Sequence, residues 1–88
     1  FFMKLKAFII DDEPLARLRL VNLLEDVNEI EIVCQCKTGQ EAIKKINKEE
    51  PDLLFLDIQL KDMTGFNVLE SISINKKPKV IFITAFDQ

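Results

Sequence analysis

Two acidic clusters each close an apolar run. Phe8-Ile9-Ile10 leads into Asp11-Asp12-Glu13, and Leu53-Leu54-Phe55-Leu56 leads into Asp57. A third apolar run, Val80-Ile81-Phe82-Ile83, ends in Thr84-Ala85. A charge at the end of a buried segment is costly unless something compensates it. Short apolar runs bounded by turn signals read as buried strands of a parallel sheet. The carboxyl ends of such strands are where open α/β sheets bind ligands. With the first and third strands as neighbours, Asp11, Asp12 and Asp57 converge, and their mutual repulsion raises their affinity for protons. A divalent cation resolves that repulsion, and carboxylates with waters and a phosphoryl oxygen form the shell that Mg²⁺ prefers. An aspartate in such a site can accept a phosphoryl group while the ion neutralises developing charge. Thr84 is placed to donate its hydroxyl across the site, and Ala85 leaves room and offers a backbone N–H.

The elements that must position these residues follow from pattern. The first strand reads from Lys6 to Ile10. Asp12-Glu13-Pro14 opens a helix, with acids and proline where a first turn favours them, and the helix runs to Glu25 or Asp26. Ala16, Leu20, Leu23, Leu24 and Val27 share a stripe expected to face the core. Leu15, Leu18 and Val21 fall off that stripe and form a candidate docking face. A second strand spans residues 31–36. Thr38-Gly39-Gln40-Glu41 fits a capping box at the start of a second helix, whose buried face is Ala42, Ile43 and Ile46. Pro51 stops that helix. The third strand spans residues 53–57, and a loop with Gly65 near its end leads to a helix over residues 66–73, with Phe66, Leu69 and Ile72 at i, i+3 and i+6. The fourth strand spans residues 80–83. Strands alternating with helices of about ten residues imply a parallel sheet with right-handed crossovers.

Composition narrows the function classes. The 88 residues carry 12 basic and 15 acidic side chains, a net charge of −3, which is a poor basis for gripping nucleic acid. Hydrophobic residues make up 48% of the chain, enough for a folded domain. No apolar run approaches the ~18 residues of a membrane span. The expected setting is the cytoplasm. Cys34 and Cys36 share one strand face at i, i+2, near the outer limit for a disulfide, and read as free thiols. With no histidine and only two cysteines, a zinc shell cannot be completed.

The stretches Phe8-Ile9-Ile10-Asp11-Asp12-Glu13-Pro14, Leu54-Phe55-Leu56-Asp57-Ile58-Gln59-Leu60 and Val80-Ile81-Phe82-Ile83-Thr84-Ala85 together resemble the receiver domain of two-component response regulators. The resemblance covers residues 4–88; residues 1–3 read as a start or leading remnant. It implies a flavodoxin-like (CheY-like) doubly wound α/β fold with strand order 2-1-3-4. It also implies Asp57 as phosphoacceptor, and Mg²⁺ held by Asp12 directly, by Asp11 largely through water, by Asp57, and by the Gln59 backbone carbonyl. Thr84 would be the switch hydroxyl. The implied phosphodonor is a sensor histidine kinase docking near Leu15, Leu18 and Val21. Such a domain is not an enzyme beyond its own phosphoryl transfer and dephosphorylation. Leu15-Ala16-Arg17 and Phe86-Asp87-Gln88 are similar to regulators with a LytTR-type DNA-binding domain, which implies DNA contact only through an output domain.

One departure from the family pattern stands out. The fifth strand, its terminal lysine and the last helices have no counterpart in these 88 residues. Lys76, Lys77 and Lys79 enter the fourth strand at its amino end, and Lys61 sits in a loop. The sequence therefore reads as part of a longer receiver, or as a chain whose missing layer comes from a homodimer or intertwined assembly. A haloacid-dehalogenase-type phosphatase needs an acid two residues after the nucleophile, where Gln59 stands. A flavin or nucleotide module wants a phosphate loop that Asp11-Asp12-Glu13 would repel. A receiver-like interaction module that works without phosphorylation is the alternative.

Overall fold

Seven elements alternate along the chain: β1 Leu5–Ile10, α1 Pro14–Leu24, β2 Ile30–Cys36, α2 Gly39–Glu49, β3 Leu53–Asp57, α3 Gly65–Ser71 and β4 Lys79–Ile83. The computed structural model describes residues 3–83. Thr84 and Ala85, singled out by the sequence, lie outside the described residues. The strands form one parallel sheet in the order β2-β1-β3-β4. This is the doubly wound, flavodoxin-like α/β fold expected from the sequence.

The two uninterrupted apolar runs take the middle of the sheet. Residues 7–10 of β1 and 53–56 of β3 are buried throughout, because helices cover both sheet faces there. Phe8, Ile10, Leu54 and Leu56 pack beneath α2 and α3 with Ala42, Ile46 and Val68. Ala7, Ile9, Leu53 and Phe55 pack on the opposite face against Leu20, Val21 and Leu24 of α1. The outer strands are more exposed: Ile81 and Phe82 of β4 reach solvent, and Phe82 stacks on Phe66 with ring centroids 5.1 Å apart.

A register shift between Ala7 and Phe8 makes β2 change faces midway. Ile32 pairs with Ala7, whereas Cys34 pairs with Phe8, so one extra residue, Val33, is accommodated as a bulge. Ile30 and Ile32 therefore join the α1 side, and Cys34 and Cys36 join the α2 side. The two thiols are free, as expected, with sulfurs 3.8 Å apart. Cys36 is buried and Cys34 only half-buried.

The helix ends follow local chemistry, with three departures from the sequence reading. Pro14 opens α1 as expected, but α1 ends at Leu24 rather than at Glu25 or Asp26. Thr38 caps α2 by accepting from the Glu41 N–H at 3.1 Å. The expected reciprocal bond differs: the Glu41 carboxylate accepts from the Lys37 N–H at 2.8 Å, one residue beyond the cap. Glu50 closes α2 in the left-handed region, φ 48° and ψ 66°, and turns the chain into buried Pro51. Helix α3 begins at Gly65, one residue early, and ends at Ser71 rather than Ser73. Its start is a full capping box between Thr64 and Asn67. Val68 is its fully buried residue, while Phe66 is exposed and Leu69 and Ile72 are half-buried.

The largest correction concerns the orientation of α1. Leu23, expected in the core, is 74% exposed, and Val21, expected on an exposed docking face, packs against the inner cluster. The core-facing stripe runs Arg17, Leu20, Val21 and Leu24, an i, i+3, i+4, i+7 pattern in which Arg17 is buried and the others half-buried. The helix is apolar on several sides, so its own sequence permits both rotations. Burial of Arg17, which reaches back under the preceding loop, accompanies the observed one. Val21→Asp should cost about 2 kcal/mol or more of folding free energy by burying a charge. Leu23→Asp should stay within about 0.5 kcal/mol. Urea denaturation of the two variants checks this.

A candidate metal centre at the ends of the central strands

Pairing of β1 with β3 sets the site. Ile10 pairs with Leu56, so the next residues, Asp11 and Asp57, leave the sheet side by side. Carboxylate oxygens of Asp11, Asp12 and Asp57 all lie within 4.8 Å of one another. Asp11 is only 5% exposed, and Asp12 and Asp57 are half-buried. Burial pushes the Asp11 carboxyl above its ordinary pKa; the Glu13 N–H opposes this, and the charges of Asp57, Asp12 and Glu13 push it up further. The ion pairs among the described residues are Lys45–Glu41 and Lys76–Asp52, and neither touches the cluster. Three converging carboxylates without a basic partner suit a hard divalent cation, and this all-oxygen donor set fits Mg²⁺ better than a softer metal.

The surrounding backbone holds these groups in place. The Asp11 N–H donates to the Cys36 carbonyl at 3.1 Å, and the Asp11 carbonyl accepts from Arg17 Nη1 at 2.7 Å. Asp11 Oδ1 accepts from the Glu13 N–H at 2.9 Å. Asp57 Oδ1 accepts from the Gln59 N–H at 3.2 Å. Asp57 Oδ2 accepts no hydrogen bond from the described residues. Gln59 pairs with Thr64 across the β3–α3 loop, and the Gly65 N–H donates to the Ile58 carbonyl at 2.7 Å. A Cβ on Gly65 would sit 2.6 Å from the Asp57 carbonyl oxygen, so this close approach requires glycine.

The same loop is pinned to α2. Asp62 Oδ1 accepts from the Gly39 N–H at 2.9 Å, and Oδ2 from the Gln40 N–H at 3.0 Å. With Thr38 taking the Glu41 N–H, the first free amides of α2 are all satisfied. Beside this clamp the Met63 side chain fills the space over Gly39, where a Cβ would meet its Cγ. The loop that carries Gln59 is thus fastened at a second point, 23 residues away in sequence.

Of the residues singled out by the sequence, the structure brings Asp11, Asp12 and Asp57 together with Gln59 beside them. Leu15 and Leu18 are exposed on α1, while half-buried Val21 packs against the core. Arg17, Asp62 and Gly65 were given no role at the site by the sequence. Arg17 leaves a faint trace, since it stands at helical spacing with Leu20 and Leu24. Asp62 leaves none, because its partners are remote in sequence.

The family model of the response regulator receiver domain matches residues 7–88. The chain belongs to the response regulator receiver family. It is similar to the transcriptional regulatory protein BtsR of Salmonella typhi, 43% identical over 96% of this chain and 35% of that protein. The receiver chain thus spans about a third of the length of the curated relatives it matches. Among solved structures, the receiver domain of the Erythrobacter litoralis response regulator PhyR is 34% identical, with a TM-score of 0.80 over 94% of this chain and 64% of that one. The response regulator PhyR of Brucella abortus is 34% identical, with a TM-score of 0.82 over 97% of this chain and 35% of that one.

Two substitutions probe how this receiver holds its site. Gly65→Ala should destabilise the fold by about 1–3 kcal/mol, because the new methyl meets fixed backbone. It should also shift the Asp57 and Ile58 amide resonances in NMR spectra. At Asp62, the Gly39 and Gln40 N–H groups hold the carboxyl below its ordinary pKa. A lowered folded pKa stabilises the native state above the unfolded pKa, and that contribution is lost as pH falls through the folded value. Asp62→Asn should therefore cost about 1 kcal/mol at neutral pH, as for a helix cap. The gap from wild type should close below about pH 4, as followed by thermal melts across pH.

Proposed function

We propose that this receiver domain accepts a phosphoryl group on Asp57 from a phosphohistidine of a sensor kinase. The observation that carries this reading is the convergence of three carboxylates within 4.8 Å at the ends of adjacent strands, with no basic side chain paired to them among the described residues. Asp11 and Asp12, with Asp57 and the Gln59 carbonyl, would hold Mg²⁺. Bound there, the ion supplies charge neutralisation to the phosphoryl oxygens.

The chain's own residues perform the rest. The Gln59 N–H holds Asp57 Oδ1 and so orients the carboxylate. Oδ2 attacks phosphorus, the new P–O bond forms as the P–N bond breaks, and the electron pair returns to the imidazole nitrogen. No proton need leave the nucleophile, because Asp57 reacts as the carboxylate. Gly65 has no Cβ to meet the Asp57 carbonyl oxygen, so α3 can start against this strand end, where the Gly65 N–H donates to the Ile58 carbonyl. Thr84 is assigned the switch hydroxyl and Ala85 a backbone N–H toward the phosphoryl group, both from motif. The kinase docks beside exposed Leu15 and Leu18.

The domain acts in the cytoplasm and is no enzyme beyond its own phosphorylation and dephosphorylation. The signal passes to an output domain that regulates transcription; the relatives named as transcriptional regulators support this reading. A LytTR-type DNA-binding output and assembly of two copies complete the proposal.

Incubation with acetyl phosphate and Mg²⁺ tests it. Intact-mass spectrometry should show one added phosphoryl group, absent in Asp57→Asn and without Mg²⁺. Uptake by Asp57→Asn at the wild-type level would move the phosphoacceptor away from Asp57, and no uptake by the wild-type full chain would leave only a phosphorylation-independent interaction module.

A further inference from the structure

Arg17 is a buried cation with no ion pair among the described residues. Only 9% of it is exposed, yet it takes part in neither of the salt bridges among the described residues. Arginine is rarely this buried unless paired. Its guanidinium instead donates from Nη1 to the Asp11 carbonyl at 2.7 Å. That carbonyl belongs to the residue whose carboxylate is the most buried of the acidic cluster.

We infer that Arg17 is a positioning residue for the cation site: from α1 it holds the β1–α1 turn in the conformation that aims Asp11 and Asp12 at Asp57. The inference rests on the proposed Mg²⁺ site. Three bonds converge on Asp11. Its N–H is tied to β2 through Cys36, its Oδ1 to the Glu13 N–H, and its carbonyl to Arg17. The first two hold the residue to the sheet and to the loop itself. Only the third ties the turn to the body of the helix that follows. The Arg17 backbone N–H makes the first i→i−4 bond of α1, to the Glu13 carbonyl at 3.1 Å, which places its side chain directly beneath the turn. A charged donor to a carbonyl is a strong hydrogen bond in a buried setting. Its net positive charge would by itself oppose metal loading, so the two roles predict opposite signs. Removing a positioning bond weakens Mg²⁺ binding, whereas removing a nearby positive charge strengthens it.

Calorimetric Mg²⁺ titration of the full chain and of Arg17→Gln and Arg17→Lys separates the two. Glutamine is too short to reach the Asp11 carbonyl and carries no charge; lysine keeps the reach, one donor and the charge. Arg17→Gln should bind Mg²⁺ about 10-fold more weakly, as for the loss of outer-shell partners at other metal sites. Arg17→Lys should recover most of that loss. Unchanged or tighter binding by a folded Arg17→Gln overturns the inference. Should that variant not fold, ¹⁵N spectra of the wild-type guanidinium decide. Protected Arg17 resonances that shift on adding Mg²⁺ support the role, and rapidly exchanging resonances that ignore Mg²⁺ refute it. Absence of Mg²⁺ binding by the wild type would instead strike the proposed function.

Discussion

The register between β1 and β3 is the constraint on which the site depends. Burial of residues 7–10 and 53–56 on both faces leaves the two strands no freedom to slip, because a shift by one residue would exchange every side chain between faces. With Ile10 opposite Leu56, Asp11 and Asp57 must emerge together. The hydrophobic core thus forces negative charges into proximity that they would otherwise avoid. The raised proton affinity of Asp11 is one consequence of its burial and of that crowding. A cluster of carboxylates that could hold a cation is the other.

Holding repelling groups together needs fastening from outside the sheet. The β1–α1 turn is held through Arg17 and the Asp11 carbonyl. The β3–α3 loop is held through Asp62 on the first amides of α2, and through the Gly65 N–H on the Ile58 carbonyl. Each fastening joins a ligand-bearing loop to a helix, and none of the three residues is itself among the carboxylates that converge. Rigid support of this kind is what separates a metal site from a chance cluster of surface acids.

The strands and the acidic triad were legible because they rest on local signals: apolar runs with a charge at the end. The strand order came with the family resemblance, since run lengths alone do not order a parallel sheet. The rotation of α1 was not legible. Residues 15–24 offer leucines on several faces, and nothing in the sequence placed Arg17 beneath the turn. The face change of β2 was hidden as well, because a bulge at Val33 breaks the alternation without a glycine or proline to mark it. Asp62 was invisible for a different reason. Its role depends on a contact with α2 that no local pattern encodes.

The central claim is that Asp11, Asp12 and Asp57 form one divalent-cation site. Mn²⁺ in place of Mg²⁺ tests it directly, because a paramagnetic ion broadens NMR signals of nuclei near it. Titration of the ¹⁵N-labelled full chain should first broaden the amides of residues 11–13 and 57–59, with competition by excess Mg²⁺ restoring them. Broadening centred on other acidic residues, such as Glu49 and Glu50, or spread evenly over the surface, would contradict the account.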